Sequence, residues 1–419
     1  MKEKRVQFNK LSQINSNNGI RLSKYSASPG CHCPMHTALA TIGRIKGVSS
    51  LVVGMPECGF YSRYVMDSPK GEQGELHYTY ILDSNEVVFG CRDGLKDALV
   101  QMVEDGAKAI VVVMTCIPAL IGEDIKEVTQ EISSECEAKV VCIDMAHFKR
   151  NGYEAGYYEV FASLNGLIKH QAFTTEQMVG VLGSLSGEEG KELKRILIDN
   201  NYECRIFDLG YHIEELAQIK KAKLTIVTSL YYLPFAKELY KKYQIPYINL
   251  AISYSPDLIW LQYQELFDIL NIKIEMEAFP AYKKLMEFHA LESNSFKGVD
   301  FTITAILPDT LAVTAYLCSF SMRPTLIHIE EYNEYMKSWR DEILAAGFDP
   351  EVTYVVNRED IGERINRNDD SVKTLSLGSA GKAEQIRTLE DRSLQSLQRL
   401  FGFERSFELV KLLKIGLEG

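Results

Sequence analysis

Short apolar runs alternate with longer amphipathic stretches along the whole chain. Residues 50–54, 109–114 and 140–144 are rich in Val and Ile, which is typical of strands buried on both faces of a parallel sheet. Between the first two runs, residues 93–105 place Leu95, Leu99 and Met102 at the spacing of one helical face. This strand-helix-strand order predicts a parallel sheet with right-handed crossovers.

The same pattern starts again near Met178 and once more near Lys297. We therefore predict an α/β protein of three Rossmann-like, doubly wound domains with parallel sheets, spanning residues 1–172, 173–295 and 296–384. The C-terminal segment, residues 385–419, is expected to be helical and to pack back on the first domain. The predicted strands of the later two domains are 178–183, 204–209, 224–228 and 247–250, then 301–307, 325–329, 352–356 and 374–377.

Composition limits the classes of protein that this chain can represent. Of its 419 residues 46% are hydrophobic and 25% are charged, as in globular rather than disordered proteins. The net charge of −11 argues against nucleic-acid and anionic-membrane partners, which need a cationic surface. No apolar run approaches the roughly 18 residues of a membrane span, and the polar N-terminal residues do not resemble a signal peptide. We expect a cytoplasmic protein.

Glycines near residue 180 follow a predicted strand, where a phosphate-binding loop could lie. Gly180, Gly183 and Gly187 do not have the dinucleotide-binding spacing, and the P-loop pattern GxxxxGK followed by Ser or Thr is absent. A tight strand-to-helix turn explains these glycines. The sequence therefore predicts no ATP site in this chain.

Three of the nine cysteines lie where α/β enzymes place their chemistry. Cys33, Cys58 and Cys116 each stand in a predicted loop with Gly or Pro within two residues. Their long separations along the chain do not match the CxxC pattern of a structural zinc site. Thiolates so spaced would suit an iron–sulfur cluster held by a large fold, and three unrelated buried thiols are the alternative.

Three segments carry a resemblance to a known family. CPMHTALATIGRIKGVSSLVVGMPECGFYSRY, ELHYTYILDSNEVVFGCRDGLKDAL and TCIPALIGEDI together resemble component 1 of the nitrogenases and nitrogenase-like oxidoreductases. The resemblance implies three α/β domains and a homodimer or a heterodimer with a related subunit. It also implies an iron–sulfur cluster, either 4Fe–4S or of the larger P-cluster type, and a separate ATP-dependent iron protein that delivers electrons.

The resemblance also implies the cluster ligands. These are Cys33, Cys58 and Cys116, with Cys31 as a local competitor of Cys33. Cys33 is preferred because its Cys-Pro step into a helix looks like the family pattern, although both cysteines of the CxC could serve. Cys91 is interpreted as a core residue. His36 is expected to bond the loop backbone, and a position of His77 beside the cluster or on the face toward the partner is left open.

The chain departs from the family at the second metallocofactor. Ser229 stands where the cofactor cysteine is expected, and no histidine follows His328. The resemblance therefore implies an oxidoreductase subunit that reduces a substrate other than, or in addition to, dinitrogen. The alternatives are a scaffold for metallocofactor assembly and a metal-free α/β binding protein.

Overall fold

The chain folds into three mostly parallel sheets with helices between their strands. The computed structural model describes residues 8–21, 33–66, 68–150, 152–168, 177–305, 307–354, 374–378 and 387–418. In these residues every pair of neighbouring strands is parallel except one at an edge. The predicted α/β class with Rossmann-like parallel sheets is confirmed.

The first sheet has the order β3-β2-β4-β5. Every residue of β2 and β4 is buried, as their apolar runs predicted. β3 was not predicted, because its mixture of His, Tyr and Thr forms a half-buried edge strand. Its elements are β2 (Ser49–Gly54), β3 (His77–Ile81), β4 (Ala109–Met114), β5 (Lys139–Asp144), α1 (Pro34–Ile42), α2 (Pro56–Ser62), α3 (Ser84–Phe89), α4 (Arg92–Glu104), α5 (Cys116–Ile121), α6 (Ile125–Glu135) and α7 (Glu154–Leu167).

The second sheet repeats this topology with the order β7-β6-β8-β9. Its core joins that of the first sheet, since apolar residues of both line one continuous cluster. Its elements are β6 (Met178–Leu182), β7 (Glu203–Phe207), β8 (Leu224–Val227), β9 (Tyr247–Asn249), α8 (Gly187–Asp199), α9 (Ile213–Leu216), α10 (Leu233–Tyr243), α11 (Pro256–Leu270) and α12 (Pro280–Glu292).

The third sheet has the order β1-β12-β11-β10-β13-β14, with β1 antiparallel at its edge. The N-terminal strand therefore belongs to this sheet, whereas the predicted first domain, residues 1–172, includes it. Its elements are β1 (Asn9–Lys10), β10 (Asp300–Ile303), β11 (Arg323–Ile329), β12 (Glu351–Tyr354), β13 (Thr374–Leu377), β14 (Arg387–Leu389), α13 (Thr310–Ser319), α14 (Lys337–Ala345), α15 (Asp391–Ser396) and α16 (Gly402–Glu418).

The position of the C-terminal helix differs from the expectation. Rather than packing back on the first domain, α16 lies against α8, α11, α12 and β14. The reason is its apolar face, since Phe403, Leu409 and Leu413 are fully buried in a core shared by the second and third sheets. Among the described residues, no helix combines the length and apolarity that crossing a membrane requires.

Candidate cluster site

Cys58 and Cys116 follow the two adjacent central strands of the first sheet. Cys58 is the third residue of α2, which follows β2, and Cys116 is the first residue of α5, which follows β4. The prediction that these two cysteines stand in loops is therefore wrong: the chain turns into a short helix directly after each strand. The chain leaves β2 toward β3 on one side and returns to β4 on the other. Such a reversal opens a crevice at the carboxyl ends of the strands, where α/β proteins bind ligands. The topology thus brings both cysteines to one crevice.

A glycine allows the two cysteine segments to touch. A Cβ added at Gly54 would lie 2.1 Å from Thr115 Oγ1 and 3.2 Å from Cys58 Sγ. The Thr115 hydroxyl donates to Val53 O at 2.8 Å, which ties the start of α5 to the end of β2. A residue with a side chain at position 54 would push these segments apart.

Cys33 is the third thiol of this neighbourhood. It precedes α1, whose first residue is Pro34, and it is half-buried, as are Cys58 and Cys116. Burial raises the pKa of the Cys33 thiol to about 11; the Met35 backbone opposes this rise, and negative charge on Cys116 and Cys58 adds to it. The charges of Cys116 and Cys58 thus act on the Cys33 thiol.

The Cys116 sulfur also accepts a hydrogen bond from the backbone N–H of His147 at 3.3 Å. Backbone N–H donors of this kind stabilise a thiolate and tune a bound cluster. Within the described ranges, no three His, Cys, Asp or Glu side chains are grouped so as to hold a single metal ion.

The other sequence candidates fall into different settings. Cys31 lies outside the described residues. Cys91 is 1% exposed in the core of the first sheet, and burial, with the charges of Glu123 and Glu86, raises its thiol pKa to about 12. Cys91 therefore lies in the core, as the sequence analysis predicted.

His36 and His77 lie in different places relative to the cysteines. The His36 ring contacts Tyr61 edge-on, with ring centroids 6.3 Å apart, and burial lowers its pKa. His77 pairs with Ser50 in the sheet, while Gly54 pairs with Ile81, so His77 lies toward the amino end, away from the cysteine segments. Its Nδ1 lies 3.0 Å from Ser50 Oγ. A position of His77 beside the cluster is therefore wrong.

An exposed apolar face borders the cysteine segments. Three of its rings, on α2 and just after it, touch one another, since the Phe60 centroid lies 5.6 Å from those of both Tyr61 and Tyr64. Apolar side chains exposed in this way commonly mark interaction sites, a signal that the helical periodicity of α2 alone did not reveal. We define the apolar face as Phe60, Tyr61, Tyr64, Val88, Phe89, Leu120 and Ile121.

Ser229 lies at the corresponding end of the second sheet. It follows β8 and precedes a short 3-10 turn that contains Tyr231. A Cβ at Gly183 would lie 3.2 Å from the Ser229 Cβ, so the ends of β6 and β8 also meet. A hydroxyl at this position does not supply the soft sulfur ligand that a cysteine would.

Comparison with known proteins decides the family. Residues 33–382 match the family described as nitrogenase component 1 type oxidoreductase. The chain belongs to this family. Its described fold resembles a solved structure entitled "Nitrogenase Cp1 at pH 6.5" with a TM-score of 0.70 at 16% identity, covering 95% of this chain and 94% of the other.

Curated relatives within this family carry two kinds of name. The nitrogenase molybdenum-iron protein alpha chain of Methanothermobacter thermautotrophicus is 25% identical over 53% of this chain and 53% of its own length. The nitrogenase iron-molybdenum cofactor biosynthesis protein NifE of Rippkaea orientalis is 26% identical over 42% and 38%, respectively. The chain spans about half the length, or less, of the curated relatives that it matches.

Proposed function

We propose that this chain is a subunit of a nitrogenase-like oxidoreductase whose iron–sulfur cluster is bound by Cys33, Cys58 and Cys116. The observation that carries the proposal is the crevice between β2 and β4. Two cysteine segments meet there across Gly54, and a third thiol interacts with both. Membership of an oxidoreductase family supports a redox role for these thiols.

The burial of the Cys33 thiol agrees with a cluster as its ligand. Burial makes the free thiolate of Cys33 unfavourable, so the thiolate needs positive charge beside it, which iron supplies. A bound iron–sulfur cluster would supply one-electron transfer, and this chain's residues would set its potential through burial and the His147 N–H bond. Cys31 stays an alternative or additional ligand.

The apolar face supports a partner subunit at the same place. Three cysteines from one chain leave a four-iron cluster short of one cysteine ligand, and a second chain seated on this face could supply the rest. The partner is proposed as a second copy or a related component 1 subunit. A separate ATP-dependent iron protein is proposed as the electron donor, because this chain has no P-loop of its own.

A second candidate function is a scaffold for metallocofactor assembly. Two observations favour it: a relative named as a cofactor biosynthesis protein and Ser229 at the position expected for a cofactor cysteine. The two functions agree on the cluster and differ in turnover. Reduction of a substrate other than, or in addition to, dinitrogen is the function that we prefer.

The first experiment tests the cluster. The chain is purified anaerobically, alone and after co-expression with its partner, and iron, sulfide and EPR spectra are measured. Cys58→Ala and Cys116→Ala should each lose most of the iron, whereas Cys204→Ala, a half-buried cysteine of β7, should retain it. Equal iron in all four proteins, or none in the wild type with its partner, would overturn the proposal.

The second experiment separates reductase from scaffold. The loaded complex is mixed with its iron protein, ATP and dithionite, and ATP-dependent dithionite oxidation is followed with dihydrogen as the product. Sustained oxidation over many turnovers supports the reductase. Reduction that stops after the cluster has taken up its electrons supports the scaffold.

A further inference from the structure

A buried carboxyl group lies where the three sheets meet. Glu154 is the first residue of α7 and is only 2% exposed. Neither of its carboxyl oxygens has a hydrogen-bond partner among the described residues. Burial of a carboxylate without a partner costs several kcal/mol, so buried acids of this kind carry a proton or meet a ligand.

Neighbouring acids strengthen this effect. Two of them are paired: Glu331 with Arg150 at 2.8 Å and Asp309 with Arg405 at 3.3 Å. Glu330 Oε2 accepts the backbone N–H of Glu154 at 2.6 Å. Burial is the largest cause that raises the pKa of Glu154 well above its ordinary value, followed by the charges of Glu330, Glu331 and Asp309. Burial and these charges therefore both favour the protonated form of the Glu154 carboxyl group.

Tyrosines from all three units surround this acid. The hydroxyls of Tyr158 on α7 and Tyr335 lie 2.5 Å apart, and the Tyr157 and Tyr231 rings stack with centroids 4.5 Å apart. Burial is the largest cause that raises the pKa of Tyr158, Tyr231 and Tyr335, and the charge that Glu154 would carry when ionised adds to it. Except for Tyr158, which is buried, these rings are partly buried.

The elements that carry these groups lie at the same end of their sheets. Glu330 directly follows β11, and the turn with Tyr231 follows β8. Both stand beyond the carboxyl ends of parallel strands, which is the ligand-binding edge of α/β folds. The acid thus lies at the edges of two sheets and at the start of a helix from the third unit.

The acid also lies close to the cysteine crevice. The starts of α7 and α1 are packed together, since a Cβ at Gly156 would lie 2.4 Å from Pro34 O. The Thr37 hydroxyl donates to Tyr153 O at 2.5 Å. Because Cys33 immediately precedes Pro34, one layer of helix termini separates the acid from the proposed cluster ligands.

We propose that the Glu154 carboxyl is the proton donor to the substrate of this oxidoreductase. The inference rests on the proposed function and adds a residue and a reaction class to it. An unsaturated bond X=Y takes up two electrons from the iron protein and two protons, giving HX–YH. One proton leaves Glu154, the second comes from water, and the resulting carboxylate is reprotonated from solvent.

The protonation of Glu154 is tested on the protein without any substrate. Infrared spectra at pH 8 should contain a protonated carboxylic C=O band that shifts in D2O. The band should be missing in Glu154→Gln and present in Glu159→Gln, a partly exposed carboxylate of the same helix. Identical spectra for the wild type and Glu154→Gln would overturn the proposal and leave the cluster assignment intact.

Proton donation is tested on the complete complex with its iron protein, ATP and dithionite. Dihydrogen from solvent protons and ethylene from acetylene are the products measured. Glu154→Gln should keep wild-type iron content and cluster EPR spectra, while kcat falls about a hundredfold or more with KM little changed. Glu159→Gln should retain activity.

The outcomes separate the two proposals. An unchanged kcat in Glu154→Gln would overturn the proton donor but not the oxidoreductase. A wild-type complex that oxidises no dithionite under ATP would overturn both. A fall in kcat together with lost cluster signals would assign Glu154 a structural role and so would also overturn proton donation.

Discussion

Glu189 and Glu404 cap each other's helices. The Glu189 carboxylate accepts the backbone N–H groups of Phe403 and Glu404 at the start of α16, at 3.1 and 2.6 Å. The Glu404 carboxylate accepts those of Glu188 and Glu189 at the start of α8, at 3.1 and 2.9 Å. Each acid satisfies free donors and the positive end of the opposite helix. This exchange attaches the C-terminal helix to the second sheet.

The reciprocal caps predict a pH-dependent stability. Burial raises the pKa of Glu189 to about 7 from its ordinary 4.5, although Tyr263 and the two N–H groups oppose the shift. The folded state therefore holds this proton at pH values where the unfolded chain releases it. The free energy of unfolding should fall by on the order of 2 kcal/mol as the pH rises from 4.5 through 7.

Urea denaturation at pH 5 and pH 7.5 checks this prediction. Glu189→Gln keeps an acceptor oxygen but has no proton to lose, so its stability should vary less over this range. Glu188→Gln is the matched control, because Lys284 lowers the pKa of this fully exposed carboxylate. The prediction fails if Glu189→Gln and Glu188→Gln retain equal pH slopes.

Arg405→Met should destabilise the protein strongly. Arg405 lies 4.2 Å over the Tyr254 ring, donates to Ala251 O and Ser253 O, and pairs with Asp309, which is 0% exposed. Removing the cation leaves a buried carboxylate, at a cost of about 3–5 kcal/mol. Adding Asp309→Asn should recover part of this loss in denaturant unfolding. A single variant within about 0.5 kcal/mol of the wild type would contradict the prediction.

Gly54→Ala should empty the proposed cluster site while the fold persists. The new methyl group would overlap Thr115 Oγ1 and crowd Cys58 Sγ, and overpacking of this kind costs about 1–3 kcal/mol. Iron and sulfide per chain should fall sharply, with the far-UV circular dichroism unchanged. The double variant with Thr115→Ala removes the closest clash and should regain iron. Full iron content in Gly54→Ala would show that the two segments need not touch.

Substitutions on the apolar face should weaken association without affecting the fold. Phe89 is 84% exposed and Tyr64 69%, so Phe89→Ser and Tyr64→Ser should leave the Tm nearly unchanged. Binding to the partner subunit should weaken about 30-fold for a side chain central to the interface, as for other hot spots. Sedimentation velocity measures this. Leu291→Ser, which removes a 79% exposed leucine on α12, should bind like the wild type.

The strands were predictable where burial was complete. β4 has the predicted bounds, because a strand buried on both faces has a continuous apolar run. β13 also has the predicted bounds, although its sequence TLSL alternates polar and apolar residues. β3 and β14 lie at sheet edges and bury fewer residues, so their sequences carry no such run. β1 pairs only two residues with β12. Its partner strand lies far away in the sequence, so local patterns could not predict this pairing.

The sequence by itself determined the α/β class, the three repeats of strand and helix, and the positions of Cys58 and Cys116 just after two strands, because these follow from local periodicity. Only the tertiary structure decided which of these strand ends meet and where α16 lies. The crevice at Gly54, the exchanged caps of Glu189 and Glu404, and the buried Glu154 all join residues that are far apart in sequence. Such contacts depend on strand order and on complementary surfaces between elements, which local patterns do not encode.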